Sequence, residues 1–127
     1  MPDLSNKAVL YLDDEDINLF LFEANFKKKF NVLTARTSHE AFTKLEAHQD
    51  QIVAVISDMR MPVIDGIEFV IKAKEKYPQF YYYIMTGFEH NQEIEEALDK
   101  NLIKKRFKKP FNVQEIEEEV LKVAESS

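Results

Sequence analysis

The 127-residue sequence contains no cysteine, only two glycines (Gly66 and Gly87) and four prolines. The missing cysteines exclude a disulfide framework, a zinc ribbon and a cysteine nucleophile together, and they fit a reducing, cytoplasmic setting. There is no low-complexity tract, no internal repeat and no linker-like stretch. The longest apolar run, Ile52 to Ile56, is far too short to span a bilayer. Met1-Pro2-Asp3-Leu4 lacks the basic stretch and apolar run of a signal peptide. No G-x-S-x-G elbow and no Ser/His/Asp spacing are present, so hydrolase chemistry finds no support.

What is present is a core. Apolar residues make up 45% of the chain, with ten Phe and five Tyr. That suffices for one compact domain over residues 1–127 without staples or a structural metal. Net charge is −6, from 17 basic and 23 acidic residues. An acidic domain suits a protein partner or a cation and binds nucleic acid poorly. The basic cluster Lys104-Lys105-Arg106 with Lys108-Lys109 reads as a charged edge strand that discourages sheet-to-sheet association.

Strand-like and helix-like stretches alternate along the chain. Ala8 to Leu12 is a short apolar run ending in acid, and Ile17, Phe20, Leu21 and Ala24 recur at helical spacing. Phe30 to Ala35 reads as a strand, and Ser38 is placed to cap a helix bearing Ala41, Phe42 and Leu45. Ile52 to Ile56 is apolar on both faces, as a buried central strand requires. Ile67, Val70 and Ile71 mark a helix ending before Pro78, Tyr81 to Met85 a strand, and Ile94, Ala97 and Leu98 a helix. A short strand follows near Lys105 to Lys108, and Asn112 with Glu115 forms a capping box for a last helix. Lys27-Lys28-Lys29 sit where they complement the first helix's C-terminus. Five βα units predict an α/β fold, a flavodoxin-like doubly wound (βα)5 with a five-stranded parallel sheet, order 2-1-3-4-5.

Open α/β sheets bind ligands beyond the carboxyl ends of their strands, where strand order reverses. The first predicted strand carries Asp13-Asp14 at that end, the third Asp58, the fourth Thr86 and the fifth Lys109. Clustered carboxylates repel one another unless a cation joins them. All-oxygen donors point to a hard ion, and few carboxylates with room for water suit Mg²⁺. His39, His48 and His90 lie in separate segments and make no transition-metal set. A bound cation lets an anionic phosphate approach, and one carboxylate can then attack phosphorus. Taken singly, each residue reads as a turn or a strand end; their joint placement at four strand ends carries the assignment.

Asp13-Asp14, Ser57-Asp58-Met59-Arg60-Met61-Pro62 with Asp65-Gly66, Thr86-Gly87 and Lys109-Pro110-Phe111 together resemble the response-regulator receiver domain of two-component signalling. The resemblance implies a phosphoacceptor at Asp58, with Asp14 and Asp58 binding Mg²⁺ directly. It implies that Asp13 supports the ion through water and that the Arg60 carbonyl completes the set. Thr86 and Lys109 would contact the phosphoryl group, Gly87 would leave space for it, and a cis peptide would precede Pro110. The donor would be a sensor histidine kinase, a histidine phosphotransfer protein or a small acyl phosphate. The output would be a downstream protein or a fused effector domain, with no direct nucleic-acid or membrane contact. Such a module catalyses only its own phosphorylation and dephosphorylation.

One position departs from the pattern. Arg106 stands where the family places Tyr or Phe, and Phe107 beside it points to the opposite face. Signalling is then expected to run through the Thr86 loop and the following helix. The bulky Arg60 and Phe88, two residues beyond Asp58 and Thr86, are placed to flank an attacking water and slow phosphate loss. Lys104 to Lys108 facing Glu115, Glu117, Glu118 and Glu119 would suit a phosphorylation-dependent homodimer. The alternatives are a degenerate, phosphate-independent binding module on the same fold and a flavin-binding module. The latter needs a phosphate cradle where this chain has Asp13-Asp14-Glu15-Asp16.

Overall fold

The computed structural model describes residues 4–87 and 91–126. Strands and helices alternate as β1 (Ala8–Leu12), α1 (Asp16–Phe26), β2 (Asn31–Ala35), α2 (Ser38–Ala47), β3 (Ile52–Asp58), α3 (Gly66–Lys76), β4 (Tyr81–Thr86), α4 (Gln92–Asp99), β5 (Lys105–Lys108) and α5 (Val113–Ser126). Every strand pairing is parallel, and the order is β2-β1-β3-β4-β5, as the sequence predicts.

The inner strands β1 and β3 are buried along their whole length because both sheet faces are covered. Alternation divides their side chains between two cores. Ala8, Leu10 and Leu12 of β1 join Ala41 and Leu45 of α2, Phe69 and Val70 of α3, and Ile94 and Ala97 of α4. Val9 and Tyr11 point the other way, to Phe22 and Phe26 of α1 and Ile116 and Val120 of α5. The pairing of β1 with β3 shifts by one residue between Ala8 and Val9, so β3 contributes one extra residue there.

The row Ile17, Phe20, Leu21, Ala24 that marks α1 in the sequence faces outward. Ile17 is 58% and Phe20 65% exposed, whereas Leu19, Phe22 and Phe26 are buried. This helix is apolar around most of its circumference, so periodicity does not choose a face. Ring packing does. Phe22 stacks on Tyr11 with centroids 4.6 Å apart, and Phe26 stacks on Phe30 at 5.3 Å.

Polar caps set the helix starts. The cap of α2 is Thr37, not Ser38: the Thr37 hydroxyl accepts from Glu40 N–H at 3.1 Å, and Ser38 is already helical. Asp65 and Asn91 accept from the third residues of α3 and α4, and Asn112 accepts from Glu115 N–H at 2.9 Å. The Glu115 carboxylate pairs with Lys105 on β5 at 3.2 Å instead of closing the capping box. Lys29 reaches Glu117 on α5, so the lysine run also ties two helices together.

Gly66 brings the start of α3 against the end of β3, and its N–H donates to the Met59 carbonyl at 2.8 Å. A Cβ there would lie 2.5 Å from the Asp58 carbonyl oxygen and 2.9 Å from Ile84 Cδ1. Backbone cannot yield cheaply, so Gly66→Ala is expected to cost about 1–3 kcal/mol in urea denaturation. An unchanged midpoint would show that α3 can slide without loss.

A candidate acidic phosphoacceptor site

The carboxyl ends of the strands bring the predicted site residues together. Asp13 follows β1, and its backbone N–H donates to the Ala35 carbonyl at 3.1 Å, which keeps it in line with the sheet. Its side chain is fully buried. Asp13 Oδ1 accepts from Glu15 N–H at 3.0 Å, and Oδ2 accepts from the Tyr11 hydroxyl at 2.6 Å and from Lys109 Nζ at 3.3 Å. Asp58 is the last residue of β3 and is 6% exposed. Its Oδ1 lies 2.9 Å from Lys109 Nζ. Asp14 is half-buried and completes the cluster: one carboxylate oxygen each from Asp13, Asp14 and Asp58 lies within 4.8 Å of the others. This acidic triad can hold a metal ion. Its donors are all oxygen, which matches a hard divalent cation.

Lys109 reaches this cluster because its backbone N–H donates to the Thr86 carbonyl at 2.9 Å. The peptide between Lys109 and Pro110 is cis, as the resemblance implies. Thr86 ends β4 and is buried. A Cβ at the neighbouring Gly87 would meet nothing within 4 Å among the described residues. Arg60 is exposed in the loop after β3. Phe88 and His90 lie outside the described residues.

At the departing position, Arg106 is half-buried, and its guanidinium lies 3.4 Å from Glu95 of α4. Phe107 points inward and stacks on Tyr83 at 5.2 Å, on the opposite face as strand alternation requires. The Tyr83 hydroxyl in turn donates to Glu119 of α5 at 2.8 Å.

Burial raises the Asp58 carboxyl above the ordinary carboxylate range, and the charges of Asp13 and Asp14 add to the rise. Lys109 opposes the shift through its hydrogen bond and charge without reversing it. Burial pulls the Lys109 ammonium down, but its hydrogen bond to Asp58 and the charges of Asp58 and Asp13 outweigh that and raise it.

Tyr11 is the site residue that the sequence reading leaves in the apolar run of β1. Its signal is the period of two: Tyr11 and Asp13 are two residues apart, so they share a strand face. Its hydroxyl is held above the ordinary tyrosine range, by burial first and then by the bond to Asp13.

The sign of the Asp58 shift makes a prediction for the metal-free protein. A carboxyl whose folded pKa lies above its unfolded value favours folding at low pH and loses that contribution as pH rises through the folded value. Asp58→Asn, free of metal, is therefore expected to be more stable than the parent at pH 7. The difference should shrink as pH falls toward about 4, the ordinary value of an unfolded aspartate, and vanish below it, where Asp58 is protonated in both states. Urea midpoints in EDTA across pH 4–7 test this; a gap that widens toward acid would contradict it.

The pattern described as the response regulator receiver domain matches residues 9–121. Sporulation initiation phosphotransferase F of Bacillus subtilis is 27% identical over 120 residues, covering 94% of this chain and 94% of that protein. The response regulator receiver protein CpdR of Brucella abortus is 26% identical, covering 92% of this chain and 95% of its own length. Other relatives are longer. The chain spans 21% of the hydrogenase transcriptional regulatory protein HoxA of Cupriavidus necator and 45% of the alkaline phosphatase synthesis regulator PhoP of Bacillus subtilis. Among solved structures, a response regulator receiver domain protein of Clostridium thermocellum superposes with a TM-score of 0.80 at 25% identity, covering 87% of this chain and 88% of that one. No helix among the described residues is long and apolar enough to cross a membrane. With its β2-β1-β3-β4-β5 sheet and its acidic triad beside Lys109, the chain belongs to the response regulator receiver domain family, the signalling modules of two-component systems.

Proposed function

We propose that this chain, as one receiver unit over residues 1–127, is switched by Mg²⁺-dependent phosphorylation of Asp58. The observation that carries the reading is the Lys109 ammonium set between the buried Asp58 and Asp13, which form the acidic triad with half-buried Asp14. Asp58 supplies a carboxylate oxygen as nucleophile. A bond forms from that oxygen to phosphorus while the P–N bond of a phosphohistidine, or the P–O bond of an acyl phosphate, breaks. Lys109 balances charge on the transferred group. Thr86 is the hydroxyl proposed to contact the phosphoryl oxygens. Asp14, Asp58 and the Arg60 carbonyl would hold Mg²⁺, with Asp13 in support. The ion, when bound, supplies positive charge against the incoming phosphate.

The proposed donor is a sensor histidine kinase or a histidine phosphotransfer protein, acting in the cytoplasm where ATP-derived phosphoryl groups are passed on. The proposed output is a changed contact with a downstream protein or a fused effector domain, by a shift between two pre-existing states. A phosphorylation-dependent homodimer through the opposed charges of this face is part of the proposal, with some of those charges paired inside one chain. Lys105 already pairs with Glu115, and Arg106 with Glu95.

Incubation with Mg²⁺ and acetyl phosphate or phosphoramidate is expected to add one phosphoryl group by intact mass, and none to Asp58→Asn. Absence of an adduct in the parent, with beryllofluoride also failing to bind, would favour a phosphate-independent binding module.

The same site should couple metal to stability. Mg²⁺ at about 100 times its dissociation constant is expected to raise the parent's unfolding free energy by about 2.7 kcal/mol. EDTA should abolish the gain, and Asp58→Asn should show little of it. Equal gains in both proteins would place the ion elsewhere.

A further inference from the structure

Asp13 Oδ2 already has two donors. The Tyr11 hydroxyl lies 2.6 Å away and Lys109 Nζ 3.3 Å away, while Oδ1 accepts from Glu15 N–H at 3.0 Å. A carboxylate oxygen offers about two lone-pair directions. Oδ2 is thus saturated by protein donors, and a cation drawing on it competes with one of them. Lys109 is the weaker claimant, because it lies closer to Asp58, at 2.9 Å.

Tyr11 is fixed in place. It is 1% exposed, its ring stacks on Phe22 at 4.6 Å, and its oxygen lies 3.5 Å from Met85 Sδ. The Phe22 ring also meets Phe111 edge-on at 5.7 Å, just beyond Lys109-Pro110. Buried and stacked, the phenol is kept from solvent, and its other close contact is the weak acceptor Met85 Sδ. Its one proton is committed to Asp13. A hydrogen bond from a neutral donor to a buried carboxylate disperses the charge that a cation would otherwise attract.

We infer that Tyr11 is a positioning residue that holds Asp13 in the metal-free receiver and weakens the grip of the acidic triad on its divalent cation. The inference rests on the reading of Asp13, Asp14 and Asp58 as the cation site. The hydroxyl does two things. It fixes the Asp13 carboxylate without drawing the ammonium away from Asp58, and it makes cation binding a displacement of a protein donor. The cation class is a hard divalent ion, Mg²⁺ or Mn²⁺, taken by oxygen donors.

Tyr11→Phe isolates the hydroxyl, since the ring, its stacking and its volume are kept. Binding of Mg²⁺ by calorimetry and of Mn²⁺ by electron paramagnetic resonance, at fixed pH, reads the affinity directly. The variant is expected to bind both ions about three- to tenfold more tightly, because the cation can take the lone pair the hydroxyl vacates and need displace no donor. In EDTA it should unfold at lower urea than the parent, and Mg²⁺ should close most of that gap. In an Asp13→Asn background, Tyr11→Phe should leave the affinity unchanged, which localises the effect to the pair. A purely structural role for Tyr11 would lower stability equally with and without the ion. Equal or weaker affinity in Tyr11→Phe, with the parent binding Mg²⁺ normally, would overturn the inference and leave the cation site standing. A parent that binds neither ion would overturn the site itself, and the inference with it.

Discussion

The rest of the site depends on like charges packed where water is scarce. Asp13 and Asp58 are almost withdrawn from solvent, and Asp14 is half-buried beside them. Buried carboxylates in mutual contact are costly, and the protein answers with one ammonium placed between two of them. Lys109 offsets part of this cost and no more: the Asp58 carboxyl still stands above its ordinary range. A site left with excess negative charge is held ready for a cation, and a cation then makes room for an anion. That charge imbalance is what suits the acidic triad to a divalent cation.

The sheet supplies the rigidity this arrangement requires. Asp58 ends a strand hydrogen-bonded on both sides, and Met59 continues that ladder by donating to the Met85 carbonyl at 3.0 Å. Lys109 is tied to the Thr86 carbonyl one strand further over. Gly66 lets α3 close behind Asp58 without forcing the strand end outward. Each reactive side chain therefore sits on backbone fixed by its neighbours, and the carboxylates cannot relieve their repulsion by drifting apart. Two separate apolar layers, α1 with α5 and α2 with α3 and α4, hold the sheet from either face.

Much of this was legible in the sequence, for identifiable reasons. Strands covered on both faces must be apolar throughout, so Ile52 to Ile56 marks the central strand and hence the place of Asp58 at its end. The acids, Thr86 and Lys109 lie at the carboxyl ends of four of the five strands and can converge only in a parallel sheet. What failed to show had equally specific causes. Helix α1 is apolar on two sides, so spacing could not tell the buried Leu19 and Phe22 from the exposed Ile17 and Phe20. Thr37 and Ser38 are adjacent hydroxyl residues, and only the extended backbone of Thr37 selects it as the cap. Tyr11 was hidden because a tyrosine in an apolar strand looks like core, and it is core, except at its oxygen.

The exit from the site is built from weaker couplings. Arg106 pairs in the sheet with Ile84, two residues before Thr86, and its guanidinium meets Glu95 on α4. Tyr83, the neighbour of Ile84, is joined through its hydroxyl to Glu119 on α5. Two adjacent strands thus reach the two helices of this face through polar contacts, β5 to α4 and β4 to α5. A partly exposed ion pair contributes only about 0.2–1 kcal/mol, which adds little to folding. The same amount is up to about fivefold in a two-state equilibrium, enough to bias the position of α4 without committing it. A contact this weak leaves α4 able to shift, where a strong one would hold it in a single position.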